Sequence, residues 1–254
     1  MALLIKICGL RTAEAANQAI EAGADLLGVI MVPGRKRTVA LDVAAEISKL
    51  AQNKRKALGR QFQSVNEILN HINSLKFDSH RAYFQKFKVL VEENGPFLVG
   101  VFRNQNIEDV FKLANQASVD FIQLHGSEDV SEYLARNDGL KYGIIKRYVI
   151  PDHTEQMKEF FPKVLESTHQ GFGFPLLDSE LGGEGQTIDW TLINDLDGDF
   201  MLAGGLNAEN LSETKPFLKN VFGFDVSGGV ENENGDKDLD KISRFVANGK
   251  QVLT

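Results

Sequence analysis

Eight short runs of apolar and β-branched residues recur along this chain at nearly even spacing. They begin near Leu3, Leu26, Phe97, Asp120, Gly143, Gly173, Asp199 and Val221. Successive starts lie 22 to 30 residues apart, except for an interval of 71 residues between the second run and the third. An interval of 22 to 30 residues accommodates a strand, a loop, a helix and a second loop. This pattern is typical of a parallel sheet that is buried on both faces.

The number of runs distinguishes a closed barrel from an open sheet. A doubly wound open sheet usually has about five or six strands, whereas a (β/α)8 barrel has eight strands and typically about 250 residues. The first run is not followed by Gly-x-Gly-x-x-Gly, the fingerprint of dinucleotide binding. We therefore predict an α/β chain that forms one domain, a single (β/α)8 TIM barrel over residues 1–254.

Helical spacing of apolar residues fills the intervals between the runs. The first helix is expected to begin after the capping residue Thr12 and to end at Gly23. Residues 106–118 and 237–249 show the same apolar spacing, and the second of these stretches also ends in glycine. The chain is therefore predicted to alternate strand and helix, with a helix after each strand.

The long interval contains a predicted helical insertion at about residues 54–94. It opens with the basic run Lys54-Arg55-Lys56, continues with apolar residues at helical spacing from Phe62 to Leu75, and then starts another helix near Tyr83. We expect an extra helical lobe packed outside the barrel and away from the catalytic face. A partner-binding appendage is the alternative.

Charge and cysteine content restrict the ligand and the compartment. The chain has 28 Lys and Arg against 35 Asp and Glu, a net charge of −7, which argues against general nucleic-acid binding and favours a small-molecule ligand. No apolar run approaches the roughly 18–20 residues that cross a bilayer, so no membrane association is expected. The single cysteine, Cys8, precludes an internal disulfide and favours a reducing, cytoplasmic location. A closed barrel exposes no strand edge, so a monomer is expected.

Two glycine-rich loops follow the last two strands. Residues 203–207 read Ala-Gly-Gly-Leu-Asn, and residues 226–231 read Val-Ser-Gly-Gly-Val-Glu. Phosphate often binds to the loops after strands seven and eight of a barrel, where backbone N–H groups and a helix N-terminus are available. The same glycines would also suit tight β-to-α turns. The pair of loops favours a phosphate site.

Cys8 and Asp178 are the candidate base and acid, because each ends a predicted strand at the end of the barrel where active sites lie. A thiolate can accept a proton, and a carboxyl group in an apolar pocket has a raised pKa and can donate one. A lone cysteine with apolar neighbours is also typical of an inert core position, and an aspartate at a strand end also caps helices.

The loop after the second strand carries Arg35, Lys36 and Arg37, which could clamp a carboxylate or form a solvated surface. His125 lies at the end of the fourth strand. It could bind the ligand, act as a base or be a packed core residue. No cluster of His, Cys and carboxylates has metal-ligand spacing. The residues thus predict a phosphate-binding barrel that isomerises its substrate by proton transfer, without naming the substrate.

Seven collinear motifs resemble the phosphoribosylanthranilate isomerase family of tryptophan biosynthesis, and together they cover most of the chain outside residues 54–94. Two of them, Arg35-Lys-Arg-Thr-Val39 and Gly100-Val-Phe-Arg-Asn-Gln105, are similar to the fungal, monofunctional branch. The remaining five are Lys6-Ile-Cys-Gly-Leu10, Gln123-Leu-His-Gly126, Leu177-Asp-Ser179 with Gly182-Gly183-x-Gly185, Ala203-Gly-Gly-Leu-Asn207 and Asp225-Val-Ser-Gly-Gly-Val-Glu231.

The resemblance implies an Amadori rearrangement of N-(5-phosphoribosyl)anthranilate, without metal or organic cofactor. It makes Asp178 the general acid, Cys8 the general base and Arg37 the ligand of the anthranilate carboxylate. Further substrate contacts are implied at Gln123, His125, Gly183, Gly205, Ser227 and Gly228. Gly228 stands where many members have serine.

Two other functions remain open from the sequence. A related phosphosugar barrel such as indole-glycerol-phosphate synthase would place a catalytic lysine at a strand end, and Lys146 is a candidate. A non-catalytic phospho-ligand-binding barrel is the second alternative.

Overall fold

Eight parallel strands close into a barrel, as the spacing of the apolar runs predicts. The computed structural model describes residues 2–161, 164–179, 189–194, 196 and 198–253, with the backbone alone at Ser167 and Thr168. The strands are β1 (Leu4–Ile7), β2 (Leu26–Ile30), β3 (Phe97–Phe102), β4 (Phe121–Leu124), β5 (Gly143–Val149), β6 (Phe172–Asp178), β7 (Phe200–Leu202) and β8 (Val221–Val226). Each strand pairs with its neighbours in chain order, and β8 pairs with β1 to close the ring. The predicted fold class is confirmed.

Nine α-helices lie within the described residues. They are α1 (Ala13–Ala22), α2 (Leu41–Ala57), α3 (Val65–Asn73), α4 (His80–Asn94), α5 (Ile107–Ala117), α6 (Val130–Ala135), α7 (Thr154–Phe160), α8 (Val164–Thr168) and α9 (Leu239–Gln251). The predicted limits of the first helix are confirmed: the Thr12 hydroxyl accepts the Ala15 N–H, and Gly23 ends the helix with φ of +95°. In the described part of the chain, no helix has the length and apolar character needed to cross a bilayer.

The helix that follows β7 is not an α-helix. The segment Leu211–Asn220 is a 3₁₀ helix that contains Pro216. Proline has no backbone N–H and its ring opposes an α-helical turn, which explains why this segment does not form a regular α-helix. After β6, the described residues include only the short 3₁₀ helix Trp190–Ile193.

The insertion between β2 and β3 is helical, as predicted, and it covers the amino-terminal end of the barrel. Its rings on α4 pack against rings at the starts of the strands: Phe87 lies 6.3 Å from both Phe121 on β4 and Phe174 on β6. The Tyr83 hydroxyl donates to the backbone carbonyl of Phe172 at 3.2 Å. The lobe therefore closes the floor of the barrel. The expectation from the sequence is instead a lobe packed outside the barrel.

The basic run that opens the insertion contributes one side chain to the interior. Arg55 is 1% exposed, donates to the Pro96 carbonyl at 2.6 Å and lies 3.3 Å from the Asp120 carboxylate. Its guanidinium also stacks over the Phe97 ring, 4.8 Å from the centroid. Arg55 thus joins the end of α2 to the starts of β3 and β4, and its charge is not available to a partner.

Candidate active site

A cavity of about 470 Å³ opens at the carboxyl ends of the strands, opposite the insertion. Eight of the residues predicted to act or bind line it: Cys8, Arg37, Gln123, His125, Asp178, Gly205, Ser227 and Gly228. The ninth, Gly183, lies outside the described residues. Residues predicted from six separate segments of the chain thus surround one space, as expected where a parallel barrel brings its strand ends together.

Cys8 follows β1 and lies above a buried ion pair. The thiol is 6% exposed, and Lys6, two residues earlier on the same face, bonds Asp225 of β8 at 2.8 Å. Burial raises the pKa of the Cys8 thiol, and the nearby Lys6 ammonium opposes this by favouring the thiolate. Burial acts to lower the pKa of Lys6, but Asp225 and Cys8 together raise it, so the ammonium stays charged.

Asp178 ends β6 and is 4% exposed. Its Oδ2 accepts from Arg147 Nε at 3.1 Å, and its Oδ1 accepts the Ser179 N–H at 2.8 Å. Burial raises the pKa of Asp178, although the Arg147 guanidinium acts in the opposite direction. A buried carboxyl with a raised pKa is suited to donate a proton near neutral pH.

His125 and Gln123 form a polar pair on the wall beside Asp178. His125 Nε2 lies 3.8 Å from Asp178 Oδ2, and its Nδ1 lies 3.2 Å from the Gln123 amide nitrogen. Burial and then the charge of Arg147 hold the pKa of His125 well below its ordinary value, so the ring is neutral. The Gln123 Oε1 is buried and finds no hydrogen-bond partner among the described residues. That oxygen is available to a ligand in the cavity.

Arg37 lies at the rim and is held by Glu231, which follows β8. Arg37 Nε and Nη2 donate to the two oxygens of the Glu231 carboxylate at 2.7 and 2.8 Å. Lys237 donates to the same carboxylate at 3.0 Å and to the Ser227 carbonyl at 2.8 Å. Burial would raise the pKa of Glu231, but the Arg37 and Lys237 contacts hold it below its ordinary value. Glu231 is therefore ionised, and it orients both cations.

The glycine-rich loops after β7 and β8 pack against each other. A side chain at Gly229 would place a Cβ 1.9 Å from the Leu206 carbonyl oxygen, so only glycine allows this approach. Ser227 Oγ is buried without a partner among the described residues. The expected helix N-terminus after β8 is a single 3₁₀ turn, Gly228–Val230, and α9 begins only at Leu239. Among the described residues, the turns at 204–206 and 227–229 line this part of the cavity.

Sequence reasoning missed the charged side chains inside the strands. Lys6 and Asp225 are each flanked by apolar residues in β1 and β8, and Arg147 follows Lys146 in the otherwise mostly apolar β5, yet all three are buried. A charge in an otherwise apolar strand is the signal that could have found them, because such a group is retained inside a protein only with a partner. Lys146, the alternative catalytic lysine, instead donates to the backbone carbonyls of Gly126 and Glu128.

Basic side chains dominate the lining of the cavity. Five cationic residues, Arg35, Lys36, Arg37, Arg103 and Arg147, line it together with the two carboxyl groups of Asp178 and Asp225. This excess of positive charge stands out in a chain of net charge −7. In the described residues, no three His, Cys, Asp or Glu side chains come together as a metal site. The cavity is suited to a small anion.

Fold and cavity together define a (β/α)8-barrel enzyme with its site at the carboxyl ends of the strands. Residues 70–248 match the family model described as N-(5'phosphoribosyl)anthranilate (PRA) isomerase. The chain belongs to this family, and the resemblance in its motifs is confirmed.

Curated relatives match the chain over nearly its whole length. N-(5'-phosphoribosyl)anthranilate isomerase of Candida albicans is 45% identical over 97% of this chain and 97% of its own length. The enzyme of the same name from Saccharomyces cerevisiae is 38% identical over 98% of this chain and 95% of its own. Phosphoribosyl anthranilate isomerase of Thermotoga maritima superposes with a TM-score of 0.67 at 28% identity, covering 98% of both chains.

Another solved phosphoribosyl anthranilate isomerase is in complex with reduced 1-(o-carboxyphenylamino)-1-deoxyribulose 5-phosphate. That protein is 27% identical to this chain, covers 98% of both chains and superposes with a TM-score of 0.65.

Proposed function

We propose that this chain catalyses the Amadori rearrangement of N-(5-phosphoribosyl)anthranilate to 1-(2-carboxyphenylamino)-1-deoxyribulose 5-phosphate in tryptophan biosynthesis. One observation carries the proposal: Cys8 and Asp178 line one cation-rich cavity in a member of this isomerase family. The product-like ligand of a solved relative carries a carboxylate and a phosphate, the two anions that this cavity is suited to bind.

Asp178 acts as the general acid in the first step. It protonates the ribose ring oxygen, the bond from C1 to that oxygen breaks, and the anthranilate nitrogen supplies the electron pair of the new C1=N bond. Asp178 is left as a carboxylate. Its raised pKa keeps a proton available for this donation, and the adjacent Arg147 stabilises the charge that remains.

Cys8 acts as the general base in the second step. Its thiolate removes the proton from C2, the freed electron pair forms a C1=C2 bond, and the electrons of C1=N return to nitrogen. The resulting enolamine becomes the ketone when the proton on the C2 oxygen is lost and C1 gains one. Lys6 supports this step because its ammonium favours the thiolate.

The two anions of the substrate are assigned to opposite sides of the cavity. Arg37 takes the anthranilate carboxylate, since a guanidinium presents a planar pair of donors. Gly205, Gly228 and Ser227 surround the phosphate, with the unpartnered Ser227 hydroxyl as one donor. Gln123 and His125 contact the sugar between them. The same proposal includes Gly183, from outside the described residues, on the phosphate side.

The finer properties of the protein belong to the same proposal. We propose one domain that includes the insertion at 54–94, since α4 packs into the barrel floor. We propose a monomer, because the ring leaves no unpaired strand edge. A catalytic thiolate has to stay reduced, which favours the cytoplasm.

Turnover of phosphoribosylanthranilate tests the function directly. The substrate is fluorescent, so its consumption is followed as loss of fluorescence, with Asp178→Asn protein as the control for spontaneous decay. We expect wild-type protein to consume the substrate and to form the deoxyribulose phosphate. Tight binding of the substrate without turnover would instead indicate a phospho-ligand-binding barrel.

A further inference from the structure

Arg147 joins the ends of two strands around the candidate acid. It lies on β5 and is 6% exposed, and its guanidinium lines the cavity. Besides the bond from Nε to Asp178 at 3.1 Å, Nη2 donates to the Ser179 carbonyl at 2.7 Å and Nη1 donates to the His125 carbonyl at 3.3 Å. One side chain of β5 thus connects the ends of β4 and β6.

The Asp178 carboxyl is held at both of its oxygens. Arg147 binds Oδ2, and the backbone N–H of Ser179 binds Oδ1 at 2.8 Å. Because Arg147 also bonds the Ser179 carbonyl, it restrains the residue whose N–H holds the other oxygen. Two bonds on opposite sides of a carboxyl group prevent its rotation.

We propose that Arg147 is a positioning residue for the isomerisation, which holds the Asp178 carboxyl in the orientation from which it donates its proton. This inference rests on the proposed function, since it assigns to Arg147 a role that acts through the proposed acid. A guanidinium is suited to it because it is always charged and presents several donors in a fixed plane.

The charge of Arg147 has a second consequence for the acid. Once Asp178 has given its proton to the ring oxygen, the group left behind is a buried carboxylate. An ion of this kind is costly without a partner. The guanidinium is already in contact with Oδ2 and stabilises that carboxylate without any movement. Arg147 therefore makes Asp178 a stronger acid than burial alone would leave it.

Replacement of Arg147 separates this role from a purely structural one. We expect Arg147→Met to lower kcat at least about tenfold with KM within a few-fold, since the acid is involved in the chemical step. The pKa of Asp178 should rise when the cation is removed, because the charge of Arg147 favours the carboxylate. An infrared titration of the Asp178 carboxyl, with Asp178→Asn protein as the blank, measures this shift directly.

The pH profile of kcat provides the second readout. The limb that coincides with the infrared titration of Asp178 should move to higher pH in Arg147→Met, while the other limb stays in place. Arg147→Lys keeps the charge and should return the limb towards its wild-type position. Lys146→Met is the matched control, because Lys146 precedes Arg147 on β5 but bonds the carbonyls of Gly126 and Glu128. We expect neither limb to move in this control.

Unchanged limbs together with an unchanged Asp178 titration in folded Arg147→Met would overturn the proposal and leave Arg147 a structural role. If the methionine variant does not fold, Arg147→Gln replaces it, because glutamine has amide donors but no charge. Its pH profile and its Asp178 titration are then compared with those of the wild type. Near-normal kcat in Asp178→Asn is a separate result. It would remove Asp178 as the acid and would contradict the proposed mechanism itself, whatever Arg147 does.

Discussion

The guanidinium of Arg37 and the carboxylate of Glu231 face each other through two hydrogen bonds of 2.7 and 2.8 Å, although the residues lie 194 positions apart in the chain. The pair connects the loop after β2 to the loop after β8. Arg37 is therefore oriented at the rim of the cavity by the protein itself.

Arg37→Ala should weaken substrate binding and leave the chemical step nearly intact. A hydrogen-bonded contact to a charged group is worth about 1.5–3 kcal/mol, which corresponds to a rise in KM of roughly 10- to 100-fold. The carboxylate is remote from C1 and C2, so kcat should stay within a few-fold. Steady-state kinetics check this, with Arg35→Ala as the control for charge in the same loop. If Arg35 were the more sensitive residue, it would be the carboxylate ligand.

Asp178→Asn should lose kcat by about 10²- to 10⁴-fold, because an amide cannot supply the proton that opens the ribose ring. The fold should persist, since asparagine retains an oxygen that can accept the Ser179 N–H. Calorimetry with a reduced product analogue checks that the variant still binds. Near-normal turnover with normal binding would exclude Asp178 from the mechanism.

Iodoacetamide should modify the native protein at Cys8 alone, and activity should fall in step with modification. Burial raises the pKa of the thiol, so the thiolate fraction is small at neutral pH and grows as the pH rises towards that pKa. The labelling rate should accordingly increase with pH above the range of an ordinary cysteine. A product analogue should slow labelling, because the thiol lines the cavity.

The control for this prediction is Cys8→Ser, which removes the chain's single thiol. It should take up no label and should lose most turnover with little change in Tm. A native protein that reacts only after unfolding, together with a fully active serine variant, would return Cys8 to the role of a core residue.

Phe87→Ala should destabilise the protein without affecting its chemistry. The ring is 2% exposed and packs against Phe121 and Phe174 at the barrel floor, so its removal should cost about 3–5 kcal/mol. Thermal unfolding measures the loss, and kcat/KM well below Tm should stay within a few-fold because the cavity lies at the opposite end. A large loss of kcat/KM in folded protein would show that the floor and the site are coupled.

Asp25 should make the stability of the protein decline between about pH 4 and pH 6. Burial raises its pKa from 3.8 to about 6, despite the Lys250 ammonium at 2.6 Å. The folded state thus holds a proton that the unfolded chain releases, and the free energy of unfolding falls as pH rises through this window. The difference in unfolding free energy between wild type and Asp25→Asn should fall over the same range. Asp240→Asn, at an exposed position of α9, removes one surface carboxylate and is the matched charge control.

The barrel was predictable from the sequence because its strands are continuous apolar runs. The predicted starts agree with the observed strands to within one residue. The apolar residues from Phe62 to Leu75, and those that start at Tyr83, correspond to the inserted helices α3 and α4, whose first turns Ser64 and Ser79 cap. The part of the barrel that these two helices cover was not predictable in the same way. The spacing of Tyr83, Phe84 and Phe87 defines an apolar face but does not say which part of the barrel the face contacts.

The candidate site was predictable where its residues end strands and not where they lie within them. Cys8, Asp178 and the two glycine-rich loops follow from the rule that barrel sites lie at strand ends. Arg147 and Glu231 enter through partners 31 and 194 positions away, which the pairing of strands and the closure of the barrel bring near. Local sequence patterns do not predict contacts between residues that lie so far apart in the chain.

The ion pair between Lys6 and Asp225 determines at which stage of folding the site can form. Its members lie 219 positions apart, on the first strand and the last. A chain still emerging from the ribosome has Lys6 from the start but gains its counter-ion only when β8 is made. Until then, burial of the Lys6 ammonium would leave a charge without a partner, so the lysine stays in water and the surroundings of Cys8 are not formed. The thiol therefore acquires its buried surroundings, with Lys6 and Asp225 beside it, only when β8 pairs with β1, so that unfinished chains carry an ordinary cysteine.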